Sequence, residues 1–319
     1  MDAVAWRRGR FSLVLLAVAA IAVGACTSSG GTTSSEAPGS EAPASEAPVS
    51  EAPASEAPAS EAPPIEGGLL DKVMKAGKII MSTDPQYPPQ SELTAEGNYE
   101  GFDIDVGTEI AKRLGVEIGF ETPSWDVITA GSWGGRWDFS VGSMTITSPR
   151  QEVLDFSDPY YFTPAQMAAR ADSGITTLDG LAGKVVCVGA ATTYLDWLNG
   201  TLDFGTESPQ TTPPDGVTAT TLDTDRLGAE AWRAGRTNFD GWLSSSTTVQ
   251  DAIDDGLPVV AVGDPVYFEP LAVAFDKGGP DASDMVTRVN AILAEMREDG
   301  TLKTMSEKWF GLDLTEKQG

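Results

Sequence analysis

The sequence predicts an α/β protein folded into two compact lobes. Two observations carry this. At 319 residues the chain is long enough for two lobes. From Leu69 onward, short apolar strands alternate with amphipathic helices, the pattern of parallel strand–helix units.

Residues 1–25 read as a signal peptide. Arg7, Arg8 and Arg10 form its basic end, and Phe11 to Val23 is an apolar run of 13 residues, short of the ~20 that span a bilayer. The run ends in Val-Gly-Ala-Cys at 23–26, which resembles a bacterial lipobox. Cleavage before Cys26 and lipid attachment to its thiol would anchor the mature protein; the alternative is a non-lipidated signal peptide with an incidental cysteine. Residues 26–66 read as a linker in which SEAP recurs six times at a period of five residues. Regular proline, one glutamate per repeat and no large apolar side chain within the repeats preclude a packed core there. At about 3.1 Å per residue in polyproline II, such a spacer reaches at most roughly 120 Å.

The first lobe opens with a short amphipathic helix, Leu69 to Ala76, and a strand, Lys78–Thr83. In DPQYPP (84–89) the prolines force a loop, so Asp84 and Tyr87 project from a strand's C-terminal end, where α/β sheets bind ligands. Asp84 is equally suited to bonding its own turn. Phe102 and Ile104 then alternate as in a strand, and Val106, Ile110 and Leu114 mark one face of a helix. Glu117 to Thr122 is the next strand, and Ser124 caps a helix predicted to reach about Trp133. That puts Trp125 at a strand-to-helix junction.

DFSVGSMTITSPRQEVLDFSDPYY (138–161) is the most informative stretch. A buried strand runs out at Gly142 into the hydroxyls Ser143, Thr145 and Thr147. Ser148 then reads as an N-cap, with Pro149 behind it and Gln151 completing a capping box. Arg150 in that first turn opposes the helix dipole. A guanidinium beside hydroxyls is a good carboxylate receptor, since its fork donates two parallel hydrogen bonds. On spacing alone it is as readily a surface arginine paired with Glu152 or Asp155.

The chain is expected to cross into the second lobe near Phe162–Gln166, with a strand at Met167–Arg170. KVVCVGAATTYLDWL (184–198) reads as a buried strand, small residues, and a helix capped by Thr192 or Thr193, whose free backbone amides suit an anion. Cys187 is a small buried hydrophobe within the strand. Residues 199–217 look like a surface insertion. A strand at Thr218–Thr221 and a helix at Arg226–Ala234 follow, and Asp281 to Asp299 is a late helix.

Composition narrows the function. Of the formal charge of −26, residues 1–25 contribute +2 and the linker −7, leaving −21 for the folded part. That argues against nucleic acid as partner and favours a zwitterion or cation over a polyanion. The chain has no histidine, and its two cysteines are Cys26 and Cys187, so no structural disulfide, metal site or cofactor is expected.

Three segments resemble the bacterial extracellular solute-binding proteins of family 3: 138–161, the signature-like GFDIDVGTEIAKRL (101–114), and the ending DGTLKTMSEKWFG (299–311). The resemblance implies a two-lobed, periplasmic-binding-protein-like type II fold, with lobe 1 at 67–163 and 268–319, lobe 2 at 164–267, and a hinge beside an interlobe cleft. It makes 264–275 the return crossing. It also implies that Arg150, Ser143, Thr145, Thr192 and Thr193 hold a ligand carboxylate, and that Tyr87 and Trp125 sandwich the side chain. Asp84 would meet the polar end, with a pocket contact also open to Asp103. Family members commonly place an aspartate where this chain has Ser245, to take the ligand's α-ammonium. Here either the ligand lacks a plain α-ammonium or another acid has the role, Asp240 and Asp251 being one alignment shift away.

The implied protein is a monomeric, lipid-anchored, extracytoplasmic receptor. It would close on a small amino-acid-like solute and deliver it to an ABC transporter permease. Dehydratase relatives on this scaffold need a positioned acid in the second lobe, where only Ser245 was in place. A sensor would need a signalling module that the sequence lacks.

Overall fold

The computed structural model describes residues 64–205 and 209–317. The signal peptide, Cys26 and all but the last three residues of the linker lie outside them.

The first lobe begins with α1 (Leu69–Ala76), which buries Leu69 and Val73 one turn apart and stops at Gly77 in the left-handed conformation. β1 (Lys78–Ser82) follows. The proline loop holds a two-residue strand, β2 (Gln86–Tyr87), which pairs with β3 (Ser91–Leu93); β3 pairs in turn with β4 (Tyr99–Glu100) in a small antiparallel sheet.

α2 (Phe102–Leu114) starts earlier than expected, so Phe102 and Ile104 are helical and not in a strand. Gly101 makes this start possible. Its φ is 131°, and a Cβ there would lie 2.2 Å from the Gln90 carbonyl oxygen. The alternation misled because α2 is covered broadly, by β-sheet and by the C-terminal helix, so Phe102, Ile104 and Val106 are all buried.

β5 (Glu117–Glu121) leads to α3 (Trp125–Thr129), which ends well short of Trp133. Gly131 and Ser132 both take positive φ, and the Asp276 carboxylate accepts the Ser132 and Trp133 N–H groups at 2.8 and 2.7 Å. β6 (Phe139–Thr145) runs past Gly142. α4 (Ser148–Val153) is capped by Thr147, not Ser148. β7 (Leu154–Arg170) is one strand of 17 residues, so the expected crossing and the strand after it are continuous.

The second lobe holds β8 (Val185–Gly189), α5 (Thr193–Leu198), β9 (Thr218–Leu222), α6 (Leu227–Arg233), β10 (Gly241–Ser245), α7 (Ser246–Asp254) and β11 (Val259–Ala261). The insertion before β9 is tied at both ends. Trp197 Nε1 donates to the Thr211 carbonyl, and the Asp203 carbonyl accepts the N–H of Ser148 in the first lobe. β12 (Tyr267–Asp276), α8 (Ser283–Glu298) and α9 (Thr301–Phe310) complete the chain.

The long sheet has the order β5-β1-β6-β12-β7-β10-β8-β9, with β11 on β7. Pairing is parallel in each outer part, β1 with β5 and β6, and β8 with β9 and β10. At the centre β7 and β12 run antiparallel, from Leu154 opposite Asp276 to Ala165 opposite Tyr267. This pair carries the chain out and back. Separate cores lie on either side of it, one around Phe102, Ile110 and Ile292 in the first lobe, and two in the second, around Trp197 and Leu243 and around Trp232 and Trp242. Burying apolar area at about 25 cal/mol per Å² stabilises each lobe independently.

Candidate ligand-binding site

A cavity opens between the lobes at the strand ends, the place where open α/β sheets bind small ligands. Asp84, Tyr87, Trp125, Ser143, Thr145 and Arg150 line it from the first lobe, and Thr192 and Thr193 from the second. Ser245 does not line it.

Arg150 is only 7 % exposed. Its Nη1 donates to the Thr145 carbonyl and its Nη2 to the Ala191 carbonyl across the cleft, both at 3.0 Å. Its guanidinium lies 5.6 Å from the Trp125 ring centroid, a cation–π contact. Among the described residues it forms no ion pair, with Glu152, Asp155 or any other acid. Burial pulls its pKa down, and Glu269 and Asp196 pull it back. The Thr147 hydroxyl accepts the Arg150 N–H, so the strand-to-helix turn fixes the residue's entry.

The neighbouring hydroxyls are already engaged. Ser143, at φ 55°, donates from Oγ to Asp103 at 2.7 Å, and Tyr160 donates to the other Asp103 oxygen at 2.6 Å. Asp103 is therefore fully buried behind the cavity wall and holds Ser143 in a strained conformation. Burial pushes its carboxyl up to about 7, with the Tyr160 and Ser143 bonds opposing. Thr145 Oγ1 donates to Glu269 at 2.7 Å, Tyr194 donates at 2.9 Å, and Thr193 donates to the same carboxylate. Thr192 caps α5 and donates to the Gly189 carbonyl at 2.8 Å. Ala191 sits between these groups at φ 58°, where a glycine is more usual.

Asp84 bonds its own turn and also lines the cavity. One oxygen accepts the Gln86 N–H at 2.7 Å, and the carboxyl faces the cavity, where burial raises its pKa to about 6. Tyr87 is raised as well, chiefly by burial, and its hydroxyl lies beside those of Ser245 and Tyr194.

Ser245 has a different place from the one the sequence suggests. Its hydroxyl caps α7 by accepting the Thr248 N–H, and it accepts the Gln90 side-chain amide at 3.1 Å. Neither alternative acid reaches the cavity. Asp240 accepts the Val185 N–H at the far end of β10, and Asp251 pairs with Arg226 on the outer face of α7.

Sequence reasoning missed three acids that do line the cavity, Asp223, Asp225 and Glu269. Asp225 follows β9, and Glu269 lies in β12. Asp225 carried the signal that flagged Asp84, an acid just past a strand's C-terminal end. Glu269 was legible as an acid inside an otherwise apolar strand, a placement that needs partners. Burial pushes Asp225 up to about 8, with Gly189 N–H opposing and Asp84 and Glu269 adding repulsion. Glu269 is raised by burial despite its three hydroxyl donors and Arg150.

Two α/β lobes on an antiparallel hinge pair, with a cavity at the strand ends lined from both sides, define a two-lobed ligand receptor. Residues 79–312 match the bacterial extracellular solute-binding proteins, family 3, and the chain belongs to that family. It is 33 % identical over 252 residues to the L-cystine-binding protein of Escherichia coli (strain K12), covering 78 % of this chain and 88 % of that one. A solved ancestral amino acid-binding protein, a precursor of cyclohexadienyl dehydratase, is 30 % identical with a TM-score of 0.65, covering 76 % of this chain and 99 % of that one. A mutant of the arginine-binding protein from T. maritima is 26 % identical with the same TM-score of 0.65, covering 76 % and 99 %.

Proposed function

We propose that this chain is the receptor of an amino-acid ABC importer, closing its lobes on a small carboxylate-bearing solute and presenting it to a membrane permease. The observation that carries this is Arg150: a buried guanidinium without a carboxylate partner among the described residues, in a cavity lined from both lobes. A buried charge of this kind is costly unless something pairs with it, and a ligand carboxylate supplies the pair. Because Thr145 and Thr193 donate to Glu269, the clamp rests on the guanidinium and the amides that head α5. Tyr87 and Trp125 bracket the remainder of the ligand, and Asp84 meets its polar end.

Lobe 1 is assigned to 67–163 and 268–319 and lobe 2 to 164–267, joined through β7 and β12. Lipid attached at Cys26 holds the receptor at the outer face of the membrane, with 26–66 as tether. The receptor acts as a monomer.

A thermal-shift panel of amino acids and small carboxylates tests this reading. A true ligand at 100 times its Kd stabilises the fold by about 2.7 kcal/mol. No shift with any amino acid or carboxylate would contradict it. An elimination enzyme is the second reading, because Asp225 is the second-lobe acid it requires. Product formed from prephenate or arogenate would favour it.

A further inference from the structure

Asp225 is only 8 % exposed, and its Oδ1 accepts the Gly189 N–H at 2.8 Å. A Cβ on Gly189 would lie 2.3 Å from that oxygen, so the glycine is what lets the carboxylate come this close. Two residues along the same loop, the Ala191 carbonyl receives Arg150 at 3.0 Å. Carboxylate and guanidinium thus bracket one short loop, since two residues span at most about 7 Å. Among the described residues no cation pairs with Asp225.

The cavity wall is unbalanced. Asp84, Asp223, Asp225 and Glu269 line it against Arg150 alone. A ligand bringing only a carboxylate would satisfy the arginine and add a fifth acidic group to the wall. Asp84 and Asp225 come from opposite lobes, so closing the cleft brings like charges together unless a cation lies between them. Glu269 is less suited to receive that cation, because its oxygens already accept from Thr145, Thr193 and Tyr194.

Resting on the carboxylate-receptor reading above, we infer that Asp225 supplies the ammonium-binding carboxylate of this site, in place of the acid missing at Ser245. The ligand class is accordingly an amino acid with a free α-ammonium, read from the β9–α6 junction and not from β10–α7. A Gly189 N–H bond fixes one Asp225 oxygen, the Ser244 hydroxyl lies beside the carboxyl, and the residue lines the cavity.

The test compares each amino acid with its amine-free counterpart by calorimetry on the full chain: L-cystine with dithiodipropionate, L-arginine with guanidinovalerate, L-glutamine with glutaramate. Wild type is expected to prefer the amino acid of at least one pair by more than tenfold. Asp225→Asn keeps an oxygen for the Gly189 bond. It should reduce that preference at least tenfold, with the ligand-free melting temperature unchanged or raised. Equal wild-type affinity within every pair would overturn the inference while leaving a carboxylate receptor standing, and that result needs no variant to fold. An unchanged preference in Asp225→Asn would also overturn it. No binding by either member of any pair would overturn the inference and leave the receptor reading to the wider carboxylate panel.

Discussion

The side-chain amide of Gln90, in the first lobe, donates to Thr247 Oγ1 in the second at 2.6 Å. The same nitrogen reaches Ser245 at 3.1 Å, and the Gln90 oxygen accepts from Thr248 at 3.2 Å. Gln90 is fully buried, so its amide is satisfied only when the lobes are together. This latch explains Ser245 better than ligand recognition does.

Gln90→Ala should therefore shift the lobes toward separation. Each hydrogen bond is worth about 1 kcal/mol net, and affinity falls with the population of the closed state. A loss of roughly five- to tenfold in ligand affinity is expected, with a larger radius of gyration in ligand-free solution scattering. Wild-type affinity and an unchanged radius would show that the contact does not hold the lobes.

Stability should fall as pH rises. Burial holds Asp84 at about 6, Asp103 at about 7 and Asp225 at about 8 in the folded protein, all above the unfolded aspartate value. Between those limits the folded state binds more protons than the unfolded, and the slope of unfolding free energy with pH is negative. The ligand-free melting temperature should drop from about pH 5 to about pH 8.5, and Asp225→Asn should flatten part of the drop. A melting temperature that rises over this range would contradict the assignment.

Asp276 is expected to matter for stability and not for binding. Its carboxylate accepts N–H groups from Ser132, Trp133 and Gly278 at 2.8, 2.7 and 2.9 Å, fixing the turn that packs Trp133 against Trp137. Asp276→Ala should cost about 2–3 kcal/mol, read by chemical denaturation, while the ligand Kd stays within twofold.

Anchoring should depend on the Cys26 thiol. Cys26→Ala is expected to leave the membrane fraction or persist as an unprocessed precursor on fractionation. Normal processing with retained membrane association would reject the lipobox reading.

Much of the fold was legible because helix periods are clear where one face is buried, as in α1 and α8, and a short apolar run marks a buried strand, as in β8. It failed where coverage is broad. α2 is enclosed enough that Phe102 and Ile104 mimic a strand, and the continuity of β7 is set by its partner β12, more than a hundred residues away. Arg150 and Asp84 were legible from motif and position. What no local pattern encodes is which partner each hydroxyl chooses. Ser143 turns to Asp103, Thr145 and Thr193 turn to Glu269, and Ser245 turns to Gln90, all through contacts distant in sequence.

The most direct measurement is ligand titration of Arg150→Ala. Truncating one partner of a buried, hydrogen-bonded charge pair costs roughly 2–5 kcal/mol. With the ligand that wild type binds best, the variant should lose well over tenfold in affinity while its circular dichroism and cooperative melting are retained. Unchanged affinity in a folded Arg150→Ala protein would contradict the carboxylate clamp on which the account rests.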